Sequence, residues 1–295
     1  MLIDLSQLPA PEIVESLDFE AILAQCKADF VARYPDIAAV IDLESDPIVK
    51  LLQTLAYREL TLRARINDAA RGVMLAYAIG TDLDQIGGNY GVARLVVTPA
   101  DTSTIPPTPV VMENDADYRR RILLSLEGYT TAGSRLAYIY HALSASGQVK
   151  DAAAESPAPG IVNVYILGRS GNGSADENLL NTVTAALNAD DVRPMTDQLT
   201  VHSAAIVTWA IAAHLIVDSG PDAEVIRAAA VAAATDYAAA QHRMGADISL
   251  SGVYRALHQA GVTRVDLAAP AANIAISPGQ APWCTGIALT AGTEA

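Results

Sequence analysis

Apolar positions follow two different periods along the chain. In the N-terminal part they recur three and four residues apart, the repeat of a helix with one buried face. From about residue 147 onward, stretches of period two alternate with helical ones. Phe19, Ile22, Leu23, Cys26 and Phe30 predict a first helix with Ser16 as its N-cap. Tyr34-Pro35 should end it, because the residue before proline avoids the helical region. A second helix is announced by Asp46 as N-cap and Pro47 at the first helical position. Ile48, Leu52, Leu55, Leu62, Ile66, Ala69, Val73 and Ala76 then alternate at four and three residues, broken only at Glu59. This is an a/d pattern held for about four heptads. A helix over 47–78 would be roughly 48 Å long at about 1.5 Å per residue. The first helix is too short to cover such a seam. The region therefore reads as a coiled-coil-like bundle formed between chains, with Ile48, Leu52, Leu55, Leu62 and Ile66 at its interface. Cover from within the same chain is the competing reading.

A short capped helix over 80–88 follows. The segment 98–109 carries four prolines and reads as an extended connector. One helix should begin near Asp115, presenting Tyr118, Ile122 and Leu126, and another after Gly133-Ser134, presenting Leu136, Ile139, Tyr140 and Leu143. Beyond them, 161–167 reads as a strand, and Ser174-Ala175-Asp176-Glu177 as a capping box opening a helix with Leu180, Val183 and Leu187 inside. Strands are expected over 199–201 and 206–217, the latter with Val207, Trp209, Ile211, Ala213, Leu215 and Val217 on one face. Ser219-Gly220-Pro221-Asp222 should start a helix running to about Met244, stopped by Gly245, with Ile226, Ala230, Ala233 and Tyr237 as its stripe. A helix over 251–259 and strands over 262–267 and 280–290 complete the pattern. The fold class expected is α+β: an N-terminal helical region with a long coiled-coil-like helix, then small α/β units of βαβ type. Four parts follow: a helical bundle region 1–97, a connector and helical pair 98–146, a first α/β unit 147–203 and a C-terminal α/β unit 204–295.

Charge narrows the partners. Nineteen Lys and Arg stand against 33 Asp and Glu, a formal net charge of −14. Such a surface repels phosphate backbones and anionic headgroups, so neither nucleic acid nor membrane is an expected partner. Charged residues make up 18%, below the usual quarter or so. Hydrophobic residues make up 51%, which suits a protein that hides part of its outside against neighbours, although an alanine-rich core gives the same numbers. Cys26 and Cys284, near opposite ends, read as reduced thiols. Asp4 interrupts the opening apolar run, and no basic segment precedes it, so no signal peptide is read. The longest near-apolar run, 204–217, is shorter than the roughly 20 residues a membrane helix needs. The chain is expected to be soluble and to stay where it is made.

Chemical motifs are few. Gly168-Arg169-Ser170-Gly171-Asn172-Gly173-Ser174 lies between a strand and a helix and resembles a phosphate loop, but lacks its lysine and the third glycine of a dinucleotide fingerprint. A nucleotide-binding enzyme using this loop is the alternative function. Glu113-x-Asp115-x-Asp117 mimics half a calcium loop without its glycine or closing glutamate. Acids in a first helical turn are favoured by the helix dipole in any case. His141, His202, His214, His242 and His258 show no metal-ligand spacing, and His214 reads as a packed or edge histidine. Asp190, Asp191 and Arg193 read as a surface turn with an ion pair. No catalytic, cofactor-binding or metal-binding residue is assigned.

Four segments carry a resemblance to a known family. They are Glu44-Ser45-Asp46-Pro47-Ile48-Val49-Lys50-Leu51-Leu52; Leu75-Ala76-Tyr77-Ala78-Ile79-Gly80-Thr81-Asp82-Leu83-Asp84-Gln85-Ile86-Gly87; Asp117-Tyr118-Arg119-Arg120-Arg121-Ile122 with Ala132-Gly133-Ser134; and Asp191-Val192-Arg193-Pro194 with Thr196-Asp197, continuing into Ala238-Ala239-Ala240-Gln241-His242-Arg243-Met244-Gly245. The opening Ile3-Asp4-Leu5-Ser6-Gln7-Leu8-Pro9 and the late Gly261-Val262-Thr263-Arg264-Val265 fit too. Together they resemble the baseplate J family of contractile phage tails and related injection devices, most of all its short members from temperate phages. Longer members carry a β-rich insertion where this chain has the 98–109 connector. The resemblance implies a structural wedge protein. Two copies would join a smaller baseplate I-like partner through the N-terminal bundle. The 204–295 unit would link wedges into a ring around the hub, whose opening signals sheath contraction. An adaptor of a phage-derived secretion machine would share this fold and differ in partners.

Overall fold

The computed structural model describes residues 5, 8–9, 11–130, 132–218 and 222–293. The chain divides into two compact units, Met1–Ala93 and Arg94–Ala295. It is a mixture of helices and small sheets, an α+β protein.

In the first unit, α1 (Phe19–Arg33) is capped by Asp18 and not by Ser16: the Asp18 carboxylate accepts from the Glu20 and Ala21 N–H groups. A carboxylate at this place also meets the positive end of the helix dipole, which a hydroxyl cannot match. Tyr34 ends the helix, and Pro35 opens a 3₁₀ turn, Pro35–Ala39. Helix α2 (Pro47–Gly72) starts as expected, with Asp46 accepting from the Ile48 N–H at 2.8 Å. It spans 26 residues and stops six short of the predicted end at 78. At Gly72 a side chain would lie 3.0 Å from the Asp82 carboxylate of α3 (Gly80–Asn89). The chain folds back there, and Ala78 is buried. The core of this unit is Leu23, Ile37, Ile41, Leu52 and Ala56. Farther along α2, buried Asn67 holds the backbone of Glu15 through two hydrogen bonds, and Arg63 pairs with Glu15 at 3.0 Å. Of the opening segment used in the family comparison, Ile3, Asp4, Ser6 and Gln7 lie outside the described residues.

The second unit opens with a narrow excursion. Strands β1 (Val96–Thr98) and β2 (Val111–Met112) pair antiparallel, and Asp101 and Thr108 bridge between them. The 98–109 connector is thus partly a two-stranded ribbon. Helix α4 (Asp115–Leu124) is capped by Asn114, and α5 (Arg135–Ala145) by Ser134. Strands β3 (Val149–Ala158), β4 (Ile161–Gly168) and β5 (Gln198–Ser203) form a sheet in that order, with β3 and β4 antiparallel and β4 and β5 parallel. Helix α6 (Glu177–Leu187) makes β4-α6-β5 a βαβ unit. Its cap is Asp176, accepting from the Leu179 N–H. Ser174, the expected cap, is instead held in extended pairing with Leu167, so the helix begins later.

After a single residue, Ala204, β6 (Ala205–Val217) enters a second sheet ordered β7-β6-β8. Here β7 (Val262–Ala269) runs antiparallel to β6, and β8 (Gln280–Thr293) runs parallel to it. This unit is therefore not a simple βαβ. Trp209, Ile211, Ala213, Leu215 and Val217 are buried, as the period of two requires, while Val207 is only half-buried. They pack on α7 (Ala223–Gln241) and α8 (Leu250–Leu257). The buried stripe of α7 is Ile226, Ala230, Ala234 and Tyr237; Ala233 is replaced by Ala234, which keeps the helical period aligned with Tyr237. Asp222 caps α7; Ser219, Gly220 and Pro221 lie outside the described residues.

The segments that looked family-like are joints. Tyr138 of α5 donates to Asp197 at 2.7 Å, fixing the turn before β5. Asp151 of β3 accepts from Arg120 of α4 and from the backbone N–H of Met244 beyond α7. Beside it, Lys150 donates to His242 Nδ1 at 2.7 Å, while His242 Nε2–H donates to the Asn172 carbonyl at 3.1 Å. The imidazole is therefore neutral and buried, with Trp283 edge-on to it at 4.9 Å. Burial, and then the Lys150 charge, push the His242 pKa below its ordinary value. The unfolded chain takes up this proton near pH 6.5 and the folded chain does not, so stability should fall as pH drops below about 6.5. The slope from one such group is at most about 1.4 kcal/mol per pH unit. His141, also pushed down by burial, acts in the same window in any variant that keeps it. Urea unfolding of the parent and of His242→Gln at pH 7.5 and 5.5 should show the larger acid loss in the parent; equal losses would remove this role for His242.

Candidate assembly surface

Helix α2 presents two apolar faces. One carries Val49, Leu52 and Ala56, buried in the unit's own core, and Asn67 on the same side. The other carries Leu51, Leu55, Leu62, Ile66 and Val73, which are 53–77% exposed. At 3.6 residues per turn these five fall within about 60° of the circumference and span roughly 33 Å of axis. Ala69 lies on the same stripe, and Arg58 interrupts it. The five residues expected at the seam thus separate. Leu52 faces inward, Ile48 is half-buried against the same core, and Leu55, Leu62 and Ile66 face outward. Leu51 joins the outward stripe and was not among them. It sits one position before Leu52, on the outer edge of the same heptad pattern, so a second stripe offset by one residue was its signal. Five apolar side chains in one line are more than scattered surface hydrophobics.

The motifs with catalytic overtones are internally satisfied. In the acidic cluster Glu113 is buried and takes two hydrogen bonds from Arg121 Nε and Nη2, the shortest 2.7 Å. Asp115 pairs with Arg94 at 2.8 Å and Asp117 with Arg169 at 2.6 Å. Each acid answers its own arginine, so the calcium-loop likeness has no free carboxylates to offer. No group of His, Cys, Asp and Glu suited to a metal ion occurs among the described residues. The glycine-rich loop borders a cleft of 310 Å³. A phosphate loop turns its N–H groups toward the ligand, whereas here four of the seven are bonded within the fold. Gly168 N–H donates to the Gly173 carbonyl, Arg169 N–H to Gln148, Gly173 N–H to Ser170, and Ser174 N–H to the Asn172 side chain. At Gly173, with φ +93°, any side chain would strike Leu167 and His242. The glycine is there so that His242 can approach the loop. His214 is exposed on β6, within 2.8 Å of the Thr290 hydroxyl. The turn that holds Asp190 and Asp191 is closed by the Val192 and Arg193 N–H groups, which donate to the Ala189 carbonyl, and the Arg193 side chain donates onward to the Asp197 carbonyl.

The family model described as Baseplate J-like N-terminal domain matches residues 44–101. The Baseplate J-like central domain matches 130–203, and the Baseplate J-like protein C-terminal domain matches 209–290. The chain is 55% identical over 289 residues to baseplate protein J of Escherichia phage P2, covering 96% of each sequence. The N-terminal match contains the whole of the exposed stripe.

The acid–arginine network has a measurable consequence. Truncating Arg121 to Met leaves Glu113 charged and buried without its partner, which costs about 3–5 kcal/mol in comparable buried pairs. Denaturant unfolding should report a loss of that size for the second unit. The double variant Glu113→Gln/Arg121→Met should recover much of it. A loss under about 1 kcal/mol would place the pair with ordinary surface ion pairs.

Proposed function

The chain belongs to the baseplate J-like family, and we propose that it is a structural component of a contractile phage-tail baseplate rather than an enzyme. Its place is the virion tail, after synthesis and assembly in the bacterial host cytoplasm. The observation that carries this reading is the outward stripe of α2, an apolar line with no cover from its own unit. In the finer reading, that stripe enters a coiled-coil-like bundle with a second copy of the chain and a smaller baseplate I-like protein, forming a wedge. Leu55, Leu62 and Ile66 lie at its centre, and Ile48 and Leu52 lie on the inner edge. In this reading the chain works as four parts, divided at 97, 146 and 203. Part 204–295 meets the neighbouring wedge and closes a ring around the hub, with other baseplate and sheath proteins against it. Contraction then exchanges one set of rigid interfaces for another.

The test is assembly. The chain co-expressed with the baseplate I-like protein encoded beside it should give a stable two-to-one complex by mass in solution. Leu55→Asp or Leu62→Asp should weaken that complex at least thirtyfold or so, the equivalent of about 2 kcal/mol. Both positions are exposed, so neither change should move the chain's own stability by more than about 0.5 kcal/mol. Leu52→Asp, in contrast, should unfold the first unit. Complexes of parental affinity with Leu55→Asp and Leu62→Asp would disprove the bundle.

A further inference from the structure

The second unit holds a pocket of 480 Å³ between β3, α7 and β8, whose lining residues are distinct from those of the glycine loop cleft. Lys150 stands at one end beside His242. Ala238 and Ala239 of α7 form one wall, and Trp283 and Ile287 of β8 the other. The carboxylates nearest Lys150 are engaged elsewhere: Asp151 by Arg120, and Asp117 by Arg169. The hydrogen bond Lys150 does make runs to the neutral Nδ1 of His242. Among the described residues no carboxylate lies within ion-pair distance of its ammonium. An ammonium has three N–H donors, so two remain for a ligand. This is a cation with no ion pair of its own among the described residues, at the end of an apolar pocket. Burial, with Arg169 nearby, pushes the Lys150 pKa below its ordinary value, and a bound anion would reverse that push.

The occupant's shape follows from the walls. A lone carboxylate would fill a small fraction of the space and leave the apolar sides empty. The β8 wall belongs to the outer strand of its sheet, where Cys284, Thr285, Gly286 and Ile287 pass through a break in register with β6. An outer strand offers unpaired N–H and C=O groups to an extended chain. We propose that this pocket docks an extended acidic segment of a partner protein, with a Glu or Asp carboxylate on Lys150 Nζ and the neighbouring apolar side chain against Trp283 and Ile287.

Trp283 lines the pocket, so its fluorescence in the full-length chain reports occupancy. The probes are a capped pentapeptide Leu-Glu-Val-Glu-Leu, its twin with glutamines for the glutamates, and sodium acetate. The acidic peptide should bind at least about tenfold tighter than the glutamine twin, as one charge-assisted hydrogen bond supplies. Lys150→Met should erase that preference while leaving the weak binding of the glutamine twin. Ile287→Ser should weaken both peptides by a similar factor, which tests the apolar wall without touching Lys150. Equal affinity for the two peptides would overturn the proposal, as would a preference that survives Lys150→Met. Acetate saturating the signal at the same concentration as the peptide would also overturn it, reducing the pocket to a site for small carboxylates.

Discussion

An apolar stripe that its own unit does not cover is the constraint on which the N-terminal unit turns. Burying a large aliphatic side chain is worth about 1.5–3 kcal/mol. The five outward residues of α2 are partly exposed, equal to about three whole side chains, and therefore leave about 5–9 kcal/mol of gross burial unused in the isolated chain. The unit can carry this because a second face of the same helix closes a separate core with α1 and the 3₁₀ turn. The two faces do not compete, since a helix of 26 residues has room for both around its circumference. Association costs several kcal/mol of rotational and translational freedom, so only part of that gross sum appears as affinity. The proposed assembly would draw on what remains.

The second unit is held differently. Its two sheets are joined by a small apolar cluster of Leu167, Ala204 and Ala281, and directional polar bonds add further links between its parts. Asp151 gathers β3, α4 and the turn after α7 into one point. Glu113 and Arg121 lock α4 to the strand before it. Buried pairs of this kind add little net stability over a well-packed apolar substitute, but they tolerate only one geometry. Apolar contacts alone would allow sliding that these bonds resist.

Much of this was legible in the sequence, and what was missed has physical causes. Asp46-Pro47, Ser134 and the alternation over 206–217 were read correctly because each is a local signal. Strand β3 was not read, since its run of alanines has no strand preference and its pairing with β4 imposes the conformation. The end of α2 at Gly72 was missed because residues 73–78 are acceptable helix formers; Asp82, distant in sequence, takes the space beside Gly72. Ser16 and Ser174 looked like caps by residue type, but the neighbouring carboxylates had the better geometry. The seam itself was read as one face. Periodicity shows that a helix is apolar, and cannot say which of two adjacent stripes the chain keeps for itself. Leu51 and Leu52 are neighbours in sequence on opposite sides of that boundary.

The same distinction separates a motif from a site. The glycine loop and the acidic triplet have the residue types of phosphate and calcium binding, yet the carboxylates of the triplet and the donors at both ends of the loop are already engaged within the fold. A binding group must instead be left with unmet hydrogen-bonding or charge, held in place by neighbours that do not satisfy it. By that criterion the outward face of α2 qualifies through uncovered apolar area. Lys150 qualifies through an ammonium whose nearby acids have all been claimed by arginines. Neither has a motif that a sequence search would seize on. Both are visible only once every polar and apolar group has been asked where its partner is.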